Sequence, residues 1–175
     1  MKVLGFAGFS GSGKTTLIEA VIPQLVQRGL RVSLIKHAHH EFDVDQPGKD
    51  SYRHRAAGAT QVLVSSRVRW ALVHELRAAP EPSLKVHLTS MAECDVVIVE
   101  GYKHEPIAKI EVHRAAVRAP WLFPTDANVI AIATDEALQT RLPCLDVNNP
   151  KQVADFIAEY ILAPAAPLNK LTQVS

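Results

Sequence analysis

The stretch GFAGFSGSGKTTL, residues 5–17, decides the reading of this chain. Gly8, four further residues and then Gly13-Lys14-Thr15 fit the pattern G-x-x-x-x-G-K-[ST] at every fixed position. Before it, KVLGFA (2–7) reads as a short buried strand. After it, Leu17, Ile18, Val21, Ile22, Leu25 and Val26 recur at three- and four-residue spacings, which predicts a helix from about Lys14 to Arg28, stopped by Gly29. Pro23 cannot donate to the carbonyl of Glu19. Because the apolar spacing continues beyond it, a kink is expected there rather than an end.

Strand, glycine turn and helix in that order give the motif a physical meaning. Glycines 8, 11 and 13 open backbone conformations closed to other residues, so that Gly8, Ser10, Gly11, Ser12 and Gly13 can turn N–H groups toward phosphate oxygens. The helix start adds unpaired N–H groups and the positive end of a dipole worth about half an elementary charge. Lys14 is expected to reach the β- and γ-phosphates, Thr15 to place its hydroxyl on Mg²⁺, and Thr16 to touch the α-phosphate. The bland alternative, a chance glycine-rich turn, gives no reason for the motif to stand between a strand and a helix.

The bulk of the chain bounds the rest. Its 175 residues, 47% hydrophobic, suit one globular domain over residues 1–162 that buries roughly 70% of its unfolded surface. Nineteen basic against eighteen acidic residues leave a net charge of +1 without like-charge blocks, so nothing points to nucleic acid or a membrane surface. No apolar run approaches the ~18 residues of a membrane span. Cys94 and Cys144 form neither a paired metal motif nor a disulfide framework, and a reducing, cytoplasmic location is expected.

Further strand-like runs occur at 31–36, 61–66, 70–75, 95–100, 109–114, 128–134 and 144–147, with helix candidates at 49–57, 83–93 and 150–162. Asn149 is placed to cap the last helix and Pro150 to open it. This alternation argues for an α/β fold of the P-loop kind, with a mainly parallel sheet flanked by helices and an antiparallel edge hairpin at 61–75. The segment 163–175, rich in Ala and Pro, is expected to be a disordered tail.

A magnesium ion in such a site needs a second anchor, usually a carboxylate at the end of a neighbouring buried strand. In D95-VVIV-E100-G101, a strand parallel to the first puts Glu100 beside the loop and leaves Asp95 about 16 Å away at ~3.3 Å per residue. Glu100 then holds a metal-bound water or orients an attacking one, and Gly101 lets backbone approach the γ-phosphate; the alternative is a surface glutamate. In KHAHHEFDVDQPGKDSYRHRAAGA (36–59), His37, His39 and His40 lack the spacing of a zinc finger and suit hydrogen bonding to phosphate or a partner. Following Asp43 and Asp45, Asp50 is a candidate for magnesium and the attacking water, with Arg53 or Arg55 pointing at phosphate. Equally, Asp50 is placed to stabilise a helix dipole.

No N-K-x-D motif occurs. The strand 129–134 ends at Asp135, whose acceptor-only carboxylate would suit the N1 and N2 donors of guanine, while Thr134-Asp135 would also serve as a turn cap.

The motifs GFSGSGKTTL, LIKHAHHEFDVDQPGKDSYRHRAAGA, RWAL, VVIVEGYKHEPIAKIEV and VIAIATD resemble the MobB proteins of molybdenum-cofactor biosynthesis, the molybdopterin-guanine dinucleotide biosynthesis adapter proteins, over nearly the whole chain to residue 162. The resemblance implies GTP and Mg²⁺ binding, slow GTPase activity, a homodimer, and a helper role beside MobA, the guanylyltransferase that joins GMP to molybdopterin. It supports Asp135 as the guanine reader. DSYRHRAA also resembles the D-T-F-R-A-A-A element of signal-recognition-particle GTPases, whose aspartate acts at magnesium and the attacking water, which supports Asp50 and Arg53. Glu100, where an aspartate is commoner, departs from the usual magnesium pattern.

Two rival functions share these motifs. A small-molecule kinase would need a mobile lid, and Lys103, Lys109, Arg114 and Arg118 lie in 102–120, but the strand-like KIEVHR and the scattered spacing argue against one. A non-hydrolysing module for molybdopterin or its guanine dinucleotide would use Lys103, His104 and Glu105 for ligand or partner; a solvated loop is the alternative. The hairpin's Val62, Val64, Trp70, Leu72 and Val73 are apolar on more than one face, which points to a dimer made through it.

Overall fold

The computed structural model describes residues 1–38 and 42–163. His39, His40 and the tail beyond residue 163, for which the sequence raises expectations, lie outside the described residues. The chain divides into two compact units, one formed by Met1–His37 with the chain from Met91 onward, the other by Ala38–Ser90.

In the first unit β1 (Lys2–Ala7), β2 (Val32–Lys36), β5 (Val96–Glu100), β6 (Lys109–His113), β7 (Val129–Thr134) and β8 (Cys144–Asp146) form a six-stranded sheet in the order β2-β5-β1-β6-β7-β8. Every pairing is parallel. A parallel sheet is buried on both faces, and β5 and β6 are accordingly buried at every residue. Along β6 this encloses polar groups, and Lys109 and Glu111 are both partnered. Lys109 donates to the carbonyls of Lys103 and Glu105 and to Asp126, while the carboxylate of Glu111 accepts from the backbone N–H groups of Leu122 and Phe123.

Helices α1 (Lys14–Gln27) and α4 (Pro150–Leu162) cover one face. Leu17, Ile18, Val21 and Leu25 of α1 and Val153, Ala154 and Ile157 of α4 close over Leu4, Phe6, Ile98 and Ile110. The helix runs through Pro23, as the apolar spacing predicts, because Pro23 lies on the exposed side and its lost hydrogen bond faces water. At its end the N–H of Leu30 reaches the carbonyl of Leu25 and that of Gly29 the carbonyl of Val26, the paired bonds of a Schellman stop. Asn149 caps α4, accepting from the N–H of Gln152 at 3.2 Å, with Pro150 as its first residue.

The second unit holds α2 (Asp50–Ala56), the hairpin β3 (Gln61–Ser65) and β4 (Trp70–His74), and α3 (Leu84–Thr89). The hairpin forms in the expected antiparallel register, but as a sheet of its own rather than along an edge of the six-stranded one. Its strands are largely exposed, unlike those of the parallel sheet. The helix expected over 83–93 stops at Thr89, where the hydroxyls of Thr89 and Ser90 both bond back to the carbonyl of Val86 and compete with the helical ladder.

Candidate functional site at the carboxyl edge of the sheet

Parallel strands end on one edge, and that edge gathers the chemistry of the first unit. The register pairs Phe6 with Glu100, Lys36 with Glu100, His113 with Thr134, and Thr134 with Asp146. The loop leaving β1, Glu100 and the residues just past β6, β7 and β8 therefore stand in one row. Asp95 lies at the opposite end of β5, where its carboxylate accepts from the backbone and side chain of Arg31.

The phosphate-loop motif occupies the turn between β1 and α1. At Gly8, φ is +153°, and a Cβ added there would stand 2.3 Å from the carbonyl oxygen of Val112, so the loop closes only around glycine. Gly13, the N-cap residue of α1, has no side chain with which to cap the N–H groups of the first turn. Lys14 Nζ donates to the carbonyls of Gly8 and Phe9, both at 2.9 Å, and lies 3.5 Å from Ser12 Oγ. Ser12 is buried; Ser10, Gly11, Thr15 and Thr16 are exposed. Burial pushes the Lys14 ammonium below the ordinary lysine value; Glu100 opposes the shift, and Lys103 and Lys36 add to it. A phosphate at this spot would relieve that crowding of positive charge.

Glu100 meets the loop directly. Its Oε1 accepts from the Thr15 hydroxyl at 2.5 Å, and its Oε2 lies 3.5 Å from Lys36 Nζ, with only 6% of the residue exposed. A hydroxyl and a carboxylate in contact are a hard oxygen pair of the kind Mg²⁺ prefers when phosphate oxygens and water complete its shell. Lys103 Nζ stands 4.4 Å from the centre of the Phe9 ring, so a second lysine flanks the loop. Gly101 follows at φ +97°, and a Cβ there would stand 2.8 Å from that of His37. Thus Thr15, Glu100 and Lys14 converge as the sequence suggests, while Lys36, for which the sequence suggests no role, joins them because β2 runs parallel beside β5.

Along the same row, Asp135 accepts from the Ala115 N–H at 2.9 Å, which holds its carboxyl below the ordinary aspartate range. The turn-cap role falls to Thr134, whose Oγ1 accepts from the Glu136 N–H at 3.1 Å. Arg114 Nη1 reaches Asp135 Oδ2 at 3.5 Å and Asn148 Oδ1 at 3.0 Å. Neither Arg114 nor Asn148 carries a local signal that it meets Asp135; only the parallel order of β6, β7 and β8 brings them to this edge.

In the second unit, Asp50 is the exposed first residue of α2 and pairs with Arg53 at 3.8 Å. Arg55 has its guanidinium engaged by carboxylates of its own unit. It is held by Asp43, Asp45 and Glu75 at 2.7, 3.1 and 2.5 Å, because the acidic loop before α2 and the strand end after β4 both turn carboxylates inward. Among the described residues no group of three or more His, Cys, Asp or Glu is placed to hold a metal ion, and no helix is long and apolar enough to cross a membrane.

A glycine loop joining the central strand of a parallel sheet to a helix, its threonine meeting the carboxylate of the neighbouring strand, marks an α/β protein of the P-loop fold. Within that class the chain belongs to the MobB family: residues 3–135 match the family described as molybdopterin guanine dinucleotide synthesis protein B. It is 46% identical over 162 residues to the molybdopterin-guanine dinucleotide biosynthesis adapter protein of Escherichia coli (strain K12), covering 91% of this chain and 93% of that protein. The protein of the same description from Haemophilus influenzae is 44% identical over 162 residues, covering 91% and 89%. The crystal structure of a MobB protein homolog from Bacillus stearothermophilus shares the fold, with a TM-score of 0.69 at 24% identity over 92% of this chain and 98% of that one.

Proposed function

We propose that this protein binds GTP with Mg²⁺ on its phosphate loop, hydrolyses it slowly, and serves as a cytoplasmic adapter in molybdopterin guanine dinucleotide biosynthesis, assisting a MobA-type guanylyltransferase that attaches GMP to molybdopterin. The adapter role follows the names of its relatives. The nucleotide role rests on the contact of Thr15 with Glu100 at the mouth of a glycine loop that also carries Lys14.

In this reading Thr15 and Glu100 would hold Mg²⁺, which would supply charge neutralisation at the phosphates. Lys14 exchanges loop carbonyls for phosphate oxygens, Thr16 meets the α-phosphate, and the loop N–H groups fix the rest. Asp135, ionised and able only to accept, receives the N1 and N2 donors of guanine. Asp50 orients the attacking water, by its likeness to the aspartate of signal-recognition-particle GTPases. Without an arginine supplied by a partner, turnover of ~10⁻⁴ to 10⁻² per second is expected. The buried position of Lys109 speaks against a kinase lid over residues 102–120.

Calorimetric titration with GTP and with ATP, in Mg²⁺, tests the proposal. GTP is expected to bind at least tenfold tighter than ATP, Lys14→Ala to abolish binding, Asp135→Ala to lower the preference, and Asp50→Ala to lower hydrolysis while sparing binding. ATP binding as tight as GTP would overturn the guanine reading.

A further inference from the structure

We infer that Asn148 is a second base-reading residue, donating to guanine O6, and that Arg114 positions both Asn148 and Asp135; this rests on the GTP reading above. The three residues follow three successive strands of the sheet: Arg114 comes after β6, Asp135 after β7 and Asn148 two residues past β8. Arg114 Nη1 bridges the other two, at 3.0 Å to Asn148 Oδ1 and 3.5 Å to Asp135 Oδ2. A guanidinium can only donate, so the Asn148 atom facing it is the oxygen, and the amide N–H₂ is turned away from Arg114. The backbone beneath is fixed as well, since the Asn148 N–H donates to Asp146 Oδ1 at 2.8 Å. Arg114 is seated against the phosphate loop itself: a Cβ added to Gly13 would stand 3.1 Å from its Nε. One arginine thereby ties the polar groups past β7 and β8 to the loop that carries the phosphate-binding motif.

The donor and acceptor pattern matches guanine. A carboxylate has about four acceptor sites. Two at Asp135 are engaged by Ala115 and Arg114, leaving capacity for guanine N1–H and N2–H. The free amide N–H of Asn148 suits O6. Adenine places a donor where guanine has O6 and an acceptor at N1, so it meets donor with donor at Asn148 and acceptor with acceptor at Asp135. Two residues therefore reject the wrong base at two atoms, each mismatch leaving polar groups unpaired.

The experiment is calorimetric titration, in Mg²⁺, of wild type, Asn148→Ala, Asp135→Ala, Arg114→Ala and Arg114→Lys with GTP, ATP, ITP and 6-thioguanosine triphosphate. ITP lacks the N2 amine and reports on Asp135. The thio compound keeps N1–H and N2–H₂, replaces O6 with a poor acceptor, and reports on Asn148. Wild type is expected to favour GTP over the thio compound by about tenfold. Asn148→Ala brings that ratio near one and leaves the GTP to ITP ratio unchanged; Asp135→Ala does the reverse. Arg114→Ala lowers both ratios, and Arg114→Lys, which still donates, restores part of each. Asn148 is exposed, so its truncation leaves the core intact, with the melting temperature as control. If wild type prefers GTP to ATP and Asn148→Ala leaves the thio ratio unchanged, the Asn148 assignment falls and the GTP reading stands. If wild type binds ATP as tightly as GTP, both fall.

Discussion

At Glu100 one buried carboxylate serves two neighbours, a hydroxyl on the helix start and an ammonium on the adjacent strand. Glu100→Gln keeps the shape but gives up the charge that faces Lys36 and that, in the proposed reading, would face Mg²⁺. GTP affinity in Mg²⁺ should fall about tenfold to a hundredfold, the range of a hydrogen bond to a charged group, while affinity in EDTA changes little. Titration in both buffers checks this; equal losses in the two would mean that the carboxylate supports the loop and has no part in metal binding. Glu100 is legible in the sequence because a strand parallel to the first must end beside the loop, and the same geometry sends Asp95 to the far edge. Lys36 is not, since its place depends on β2 and β5 being neighbours. The engagement of Arg55 is hidden for a related reason: three carboxylates from two separate segments claim it, and no periodicity in the chain announces that they meet.

Elements show the same division between local and distant causes. The phosphate-loop helix and the capped α4 are readable because spacing, a glycine stop and an asparagine cap act within a few residues, whereas the place of the hairpin depends on what the whole chain does. Within the second unit, Arg55 ties the loop bearing Asp43 and Asp45 to α2 and to the end of β4. Hydrogen bonding to Arg55 holds the Asp43 carboxyl below its ordinary value of 3.8. A depressed carboxylate contributes stability that is fully present above the ordinary value and lost as pH falls through the lowered one. Wild type should therefore exceed Arg55→Leu in melting temperature by a margin that is level from pH 5 to 8 and shrinks only below about 3.8. A margin that instead shrank between pH 6 and 7 would assign the effect to histidine.

At the scale of the molecule, the hairpin leaves one face uncovered. Leu63, Leu72 and Trp70 share it and are 59%, 48% and 67% exposed, while on the reverse Val62 and Val73 are half-buried and Val64 is 49% exposed. Such a face suits a homodimer. Wild type should sediment as a dimer at micromolar concentration and the Trp70→Glu, Leu72→Glu double variant as a monomer; a monomeric wild type would sink the idea. The strand order carries one further consequence. The central strand β1 is made well before its two neighbours, which begin only at Val96 and Lys109, and β2 reaches it only through β5. Everything from β2 to α3 is therefore made before the first two strands have anything to pair with. Closing so long a separation is slow, and the glycine loop hangs from an unsheeted strand until it is done. A phosphate loop seated in its sheet thus requires the chain to have been made through β6.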